Sequence, residues 1–199
     1  MGRRRVSVHL SNWGSHATPG RHGPVRKLSI MALPRAWERG EGSVPLLTPD
    51  AADVVDARHG RLDPAAYRVR FYRLVAFRVR KKGLGLAPGT LLTASGEPVV
   101  DGDTLLCACG AEKARGRRCH RVLAADLLAV AGWSVDLDGV RVNPDEAKAR
   151  IRSEASVEPD VLEADDGPDL EVGRGDRVDD GPFVPWIVEE LDESDPPEG

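Results

Sequence analysis

Residues 119–131, CHRVLAADLLAVA, read as a helix that is apolar on most of its faces, with Asp126 inside the apolar region that begins at Val122. A helix of that kind has to be covered on most sides by the rest of its fold. Upstream, Thr104-Leu105-Leu106-Cys107 reads as a short buried strand, and downstream residues 133–137 read as another. Strand, loop, helix, strand is the succession expected of an α/β sheet with a crossover helix. Asp138-Gly139 is a hairpin-type turn that leads into a further short strand at residues 140–142.

The rest of the chain supplies partners for this unit. Residues 4–10 alternate basic, apolar and polar side chains and predict a first strand. Residues 25–33 predict a second, stopped by Pro34, and residues 43–47 a short third. Three helix starts share one signal, a capping residue followed by proline. Proline at the first helical position gives up no hydrogen bond, and the cap oxygen accepts from an orphan amide. These starts are Thr48-Pro49 with Gly60 as the stop, Asp63-Pro64 opening a helix to about Lys82, and Asn143-Pro144 with Glu146 completing a capping box. In the second helix Tyr67, Phe71, Leu74, Val75 and Arg78 share a face, with Arg70, Arg73, Arg80, Lys81 and Lys82 along its flank. That flank is either a solvated basic side or a polyanion-binding face.

The formal net charge of -4 conceals a division. Residues 1–152 hold 26 Lys+Arg and 15 Asp+Glu, a net +11, whereas residues 153–199 hold 2 and 17, a net -15. The first part is read as the folded domain. The second has scattered Pro and Gly and little periodicity, and is expected to be a largely disordered acidic tail. Its one apolar island, residues 182–188, carries Phe183 and Trp186 and is expected to dock, either on its own domain or on a protein partner. No apolar run reaches membrane-spanning length, and no signal-peptide core follows the basic start. The expected location is therefore cytoplasmic, without membrane association.

Three cysteines, Cys107, Cys109 and Cys119, fall within thirteen positions. An odd number cannot pair completely, which suits a reducing compartment. Three readings stay open. Cys119 at a helix N-terminus, near Arg117, Arg118 and Arg121, would be a low-pKa thiol or part of an anion pocket, with His120 as an acid or base. Cys107, Cys109, Cys119 and His120 would alternatively bind zinc, although they lack the usual paired Cys-x2-Cys spacing. The third reading is a structural one, in which Cys107 simply packs in the core.

The run Leu-Leu-Cys, a loop, Cys-His-Arg opening an apolar helix, then Gly-Trp-Ser-Val resembles the C-terminal signature of the family called domain of unknown function 488. The resemblance covers roughly residues 103–142. It implies a single Rossmann-like domain and makes Cys107, Cys119, His120 and Arg121 the signature positions. The loop between Cys107 and Cys119 is longer than that pattern has, and the family's N-terminal Asp-Val-Arg strand motif is missing. The family brings no settled reaction.

In α/β sheets ligands bind beyond the carboxyl ends of the strands. If the first strand and the 104–107 strand are parallel, the loop holding Ser11 and His16 opens on the same edge as the Cys107 loop. His16, Arg21, His22 and Arg26 would then join Arg118 and Arg121 around an anion. The expected function is binding of a small anionic ligand, nucleotide- or phosphate-like, at the Cys119 helix N-terminus, with thiol chemistry as an extension and no cofactor required. Whether the chain is an enzyme is left open. The alternative is a nucleic-acid-binding module with a Cys/His zinc site and an acidic tail that masks its basic surface.

Overall fold

The computed structural model describes residues 6–13, 26–34, 41–109 and 119–155. The acidic tail with Phe183 and Trp186, and the loop positions His16, Arg21, His22, Arg117 and Arg118, lie outside the described residues.

Strands β1 (Ser7–Asn12), β2 (Lys27–Ser29), β3 (Thr104–Cys107), β4 (Ser134–Leu137) and β5 (Val140–Arg141) form one sheet in the order β2-β3-β1-β4-β5. β2, β3, β1 and β4 are mutually parallel, and only the edge strand β5 runs antiparallel to its neighbour. The helices are α1 (Ala51–Arg58), α2 (Pro64–Lys82), α3 (His120–Val130) and α4 (Pro144–Ala155). The protein is thus an α/β fold with a mostly parallel sheet flanked by helices.

Local chemistry accounts for the element boundaries. Asp63 accepts hydrogen bonds from the amides of Ala65 and Ala66, Pro64 opens α2, and Gly83 ends it in the left-handed conformation at φ 62°. Asn143 caps α4 in the same way, accepting from the amides of Asp145 and Glu146. α1 starts two residues later than its sequence signal suggests. Asp50 is the cap, and the Thr48 hydroxyl instead donates back to the Val44 carbonyl. Residues 43–47 are not a strand. Pro45–Leu47 forms a 3-10 turn whose end carbonyls receive the Arg78 guanidinium, and Ser43 keeps only a single bridge to Ser29. The second strand is three residues long rather than nine.

All four residues of β3 are buried, so both faces of that strand are covered. The helix α3 is buried along ten of its eleven residues, as its all-round apolar character requires. It packs on β1 and β4 and against α2 and α4. Its one carboxylate, Asp126, is held by a two-pronged contact from Arg150 of α4, at 2.7 and 3.3 Å. On α2, Tyr67, Phe71 and Val75 enter the core as their spacing predicts, together with Tyr72. No helix among the described residues is long and apolar enough to cross a membrane.

Candidate functional site

Parallel pairing brings the carboxyl ends of β1, β3 and β4 together, and the chemistry-bearing residues gather there. Asn12, the last residue of β1, lies beside Cys107, the last residue of β3. Cys119 stands at the N-cap of α3 with extended backbone, φ -116° and ψ 124°, and its side chain caps nothing. The Cys107 and Cys119 sulfurs are 3.3 Å apart. Cys109 completes the group: its amide donates to the Cys107 sulfur at 3.3 Å, and all three Sγ atoms lie within 4.8 Å of one another. All three are thiols rather than disulfides. This group of three cysteines could hold a metal ion.

His120 does not join the thiols as a fourth ligand. Successive helical residues point roughly 100° apart. The His120 ring turns into the interior, where it has a backbone hydrogen bond with Ile30 and a tilted contact with Phe71 at 6.1 Å. Burial lowers its pKa to about 4, so the imidazole is neutral at pH 7. Its Nε2 is buried and has no hydrogen-bond partner among the described residues.

The thiols do not take the low-pKa form expected of a helix N-terminus. Cys119 is pushed well above the ordinary thiol range, first by its contacts with Cys107 and Cys109 and then by burial. Cys107 is pushed up to about 12, first by Cys109 and with burial, against the opposing pull of Cys119 and Arg121. The dipole of α3 acts on Cys119 but is outweighed by two neighbouring sulfurs and the loss of water. The sulfurs also reach Tyr67 of α2, whose phenol is raised by burial and by the cysteines.

Beside the thiols is a buried charge. The Arg121 side chain has 0% exposure, and its Nη2 donates to Asp138 at 2.8 Å. Its Nε and Nη1 are buried and have no hydrogen-bond partner among the described residues. Asp138 in turn accepts from the Ser11 hydroxyl at 3.0 Å. Ser11, expected to face a ligand, instead steadies the carboxylate that orients Arg121. Asp138 itself carries only a turn signal in the sequence. It sits at φ 53° ahead of Gly139 at φ 89°, the pair of left-handed residues that a tight hairpin needs. That turn is what aims its carboxylate back at β1 and α3.

Arg26 is not part of this edge. It precedes β2, at the opposite end of the sheet, where it grips Asp103 at 3.1 and 2.6 Å and reaches Glu97 at 3.1 Å. Of the expected basic flank of α2, Arg70 pairs with Asp53; elsewhere on the helix Arg68 pairs with Glu154 and Arg78 binds the carbonyls of the 3-10 turn.

Compared with family models, curated proteins and solved structures, the chain finds no match.

Proposed function

We propose that this domain binds a small anionic ligand, phosphate- or nucleotide-like, at the carboxyl edge of β1, β3 and β4. The observation that carries the reading is Arg121, a guanidinium wholly removed from solvent with two N–H-bearing nitrogens unsatisfied among the described residues. Buried donors nearly always have acceptors, and each one left alone costs about 1–3 kcal/mol. Oxygens of a bound anion would satisfy both. The first turn of α3, with no side-chain cap, adds amides and the positive end of a helix dipole. Asp138, steadied by Ser11, takes Nη2 of the guanidinium, which leaves Nε and Nη1 for a ligand. The resemblance to the domain of unknown function 488 family agrees with this placement, since it makes Cys119, His120 and Arg121 signature positions.

The reading is one of binding rather than of thiolate catalysis. A buried Cys119 with a raised pKa is a poor nucleophile at neutral pH. The nucleic-acid alternative drew on the +11 charge of residues 1–152. Arg70 of the flank that would form such a surface is paired with Asp53, whereas the buried Arg121 has donors left to satisfy among the described residues, so the small anion is the better supported ligand.

The test is calorimetric titration of the full chain with inorganic phosphate and with mononucleotides. Saturable binding is expected, weakened about tenfold or more in Arg121→Met, because a charge-assisted hydrogen bond contributes roughly 1.5–3 kcal/mol. Equal affinity in the wild type and in a folded Arg121→Met variant would overturn the reading.

A further inference from the structure

We propose that Cys107, Cys109 and Cys119 form a three-thiolate site for a thiophilic d10 cation, with Zn2+ as the ion, and that Arg121 offsets the charge of the loaded centre. The metal site itself rests on sulfur geometry rather than on unsatisfied donors; it shares only Arg121 with the anion reading.

Zinc–sulfur bonds are about 2.3 Å, which places two thiolates of a tetrahedral centre about 3.8 Å apart. Here the Cys107 and Cys119 sulfurs are 3.3 Å apart and every pair is within 4.8 Å. The thiols therefore bracket the required spacing, and shifts of a few tenths of an ångström to about one ångström complete it. Two of the three are set by secondary structure. Cys107 ends β3, Cys109 follows two residues later, and Cys119 is fixed at the N-cap of α3. The Cys109 amide already donates to the Cys107 sulfur, the kind of contact that steadies a ligating thiolate. Cys107 and Cys119 are buried, while Cys109 is half-exposed and gives an ion a way in.

Charge balance supports the same site. Binding replaces three S–H protons: M2+ plus three thiols gives a tris-thiolate centre of charge -1 and three protons released to solvent. A buried -1 needs a counter-charge, and Arg121 is close enough to act on Cys107 electrostatically. Three sulfurs leave one tetrahedral position for a further ligand. His120 is outside the group, and no other Cys, His, Asp or Glu among the described residues belongs to it.

The experiment uses the full chain, reduced and stripped with chelator, titrated anaerobically with Co2+ and then Zn2+. One Co2+ per chain is expected, with thiolate-to-cobalt charge-transfer absorption that Zn2+ abolishes stoichiometrically. Cys109→Ser should lower the charge-transfer intensity by about a third and weaken binding about tenfold or more, as loss of even an outer contact does at such centres. His120→Gln should change neither. Substoichiometric metal, or unchanged binding in folded Cys109→Ser, would overturn the proposal. If Cys109→Ser does not fold, the wild-type chain decides. One equivalent of Zn2+ should protect the half-exposed Cys109 thiol from iodoacetamide, and equal alkylation of Cys109 with and without Zn2+ would sink the idea. Metal binding without phosphate binding, or the reverse, separates this site from the anion pocket.

Discussion

Arg121→Met should make the metal-free protein more stable. In the folded chain the Arg121 side chain has 0% exposure and makes one charge-assisted hydrogen bond, to Asp138 at 2.8 Å. Such a bond contributes about 1.5–3 kcal/mol. Against it stand Nε and Nη1, both buried and unsatisfied among the described residues. Each costs about 1–3 kcal/mol, so together they outweigh the single bond by roughly 2 kcal/mol at mid-range. Removing the guanidinium strands no buried carboxylate, because the Asp138 side chain is 33% exposed and regains water. Methionine has similar reach and adapts to irregular space, so little volume is lost. A buried ion replaced by a packed apolar group is often neutral or stabilising.

The assay is equilibrium urea unfolding of the chelator-treated full chain at pH 7. With an m-value of about 2 kcal/mol/M, a gain of roughly 2 kcal/mol moves the midpoint up by about 1 M at unchanged slope. The same variant should lose anion binding. Greater stability with lost binding is the signature of a group kept for function rather than for the fold. A destabilisation of about 1 kcal/mol or more would refute the reasoning. It would mean that the Ser11–Asp138–Arg121 chain is a structural tie between β1, the hairpin and α3.

The Asp126–Arg150 contact should behave in the opposite way, because the carboxylate is the buried partner at 2% exposure. Arg150→Met should cost about 3 kcal/mol in urea unfolding, and the Asp126→Leu, Arg150→Met double variant should recover most of it; equal losses in both would contradict this. Asp63→Ala removes the cap of α2 and should cost about 1 kcal/mol, with reduced helical circular dichroism near the midpoint. His120 titrates near 4 when folded and near 6.5 when unfolded, so the unfolded chain binds more protons between these values. Its contribution is present above about pH 6.5 and falls by about 3 kcal/mol as pH drops towards 4; His120→Gln should flatten the metal-free stability profile over that window.

Much of the fold was legible because its determinants are local. Asp63-Pro64 and Asn143-Pro144 act within one helical turn, and both helices start where those pairs stand. The all-apolar character of residues 119–131 required a covered helix between parallel strands, and α3 is one. Residues 43–47 misled because a Val-Pro-Leu-Leu run satisfies strand and buried-turn patterns alike. The arbiter was a distant arginine, Arg78, binding the carbonyls that a strand would have given to a neighbour. The site was legible in its residue types but not in its wiring. Ser11 and Asp138 are 127 positions apart, and they meet only because β1 and β4 pair in a register that sets the hairpin turn beside the end of β1. No spacing rule carries that information.

Several departures from ordinary packing lie close together, although a buried polar atom without a partner among the described residues also occurs at the other end of β3, at Thr104 Oγ1. Elsewhere helices are capped, the Asp126 and Asp103 carboxylates have arginine partners, and apolar faces are covered. At the carboxyl edge of β1, β3 and β4 several rules fail together. A buried guanidinium is half unsatisfied, an imidazole nitrogen has no acceptor or donor among the described residues, and three thiols crowd one another. Each is unfavourable by itself, and their causes are separate: one arises at the first turn of α3, another from the turn after β4, another from the end of β3. The strain at this edge, where parallel sheets place their ligands, would be relieved by the groups proposed above, oxygens for the guanidinium and a cation for the sulfurs.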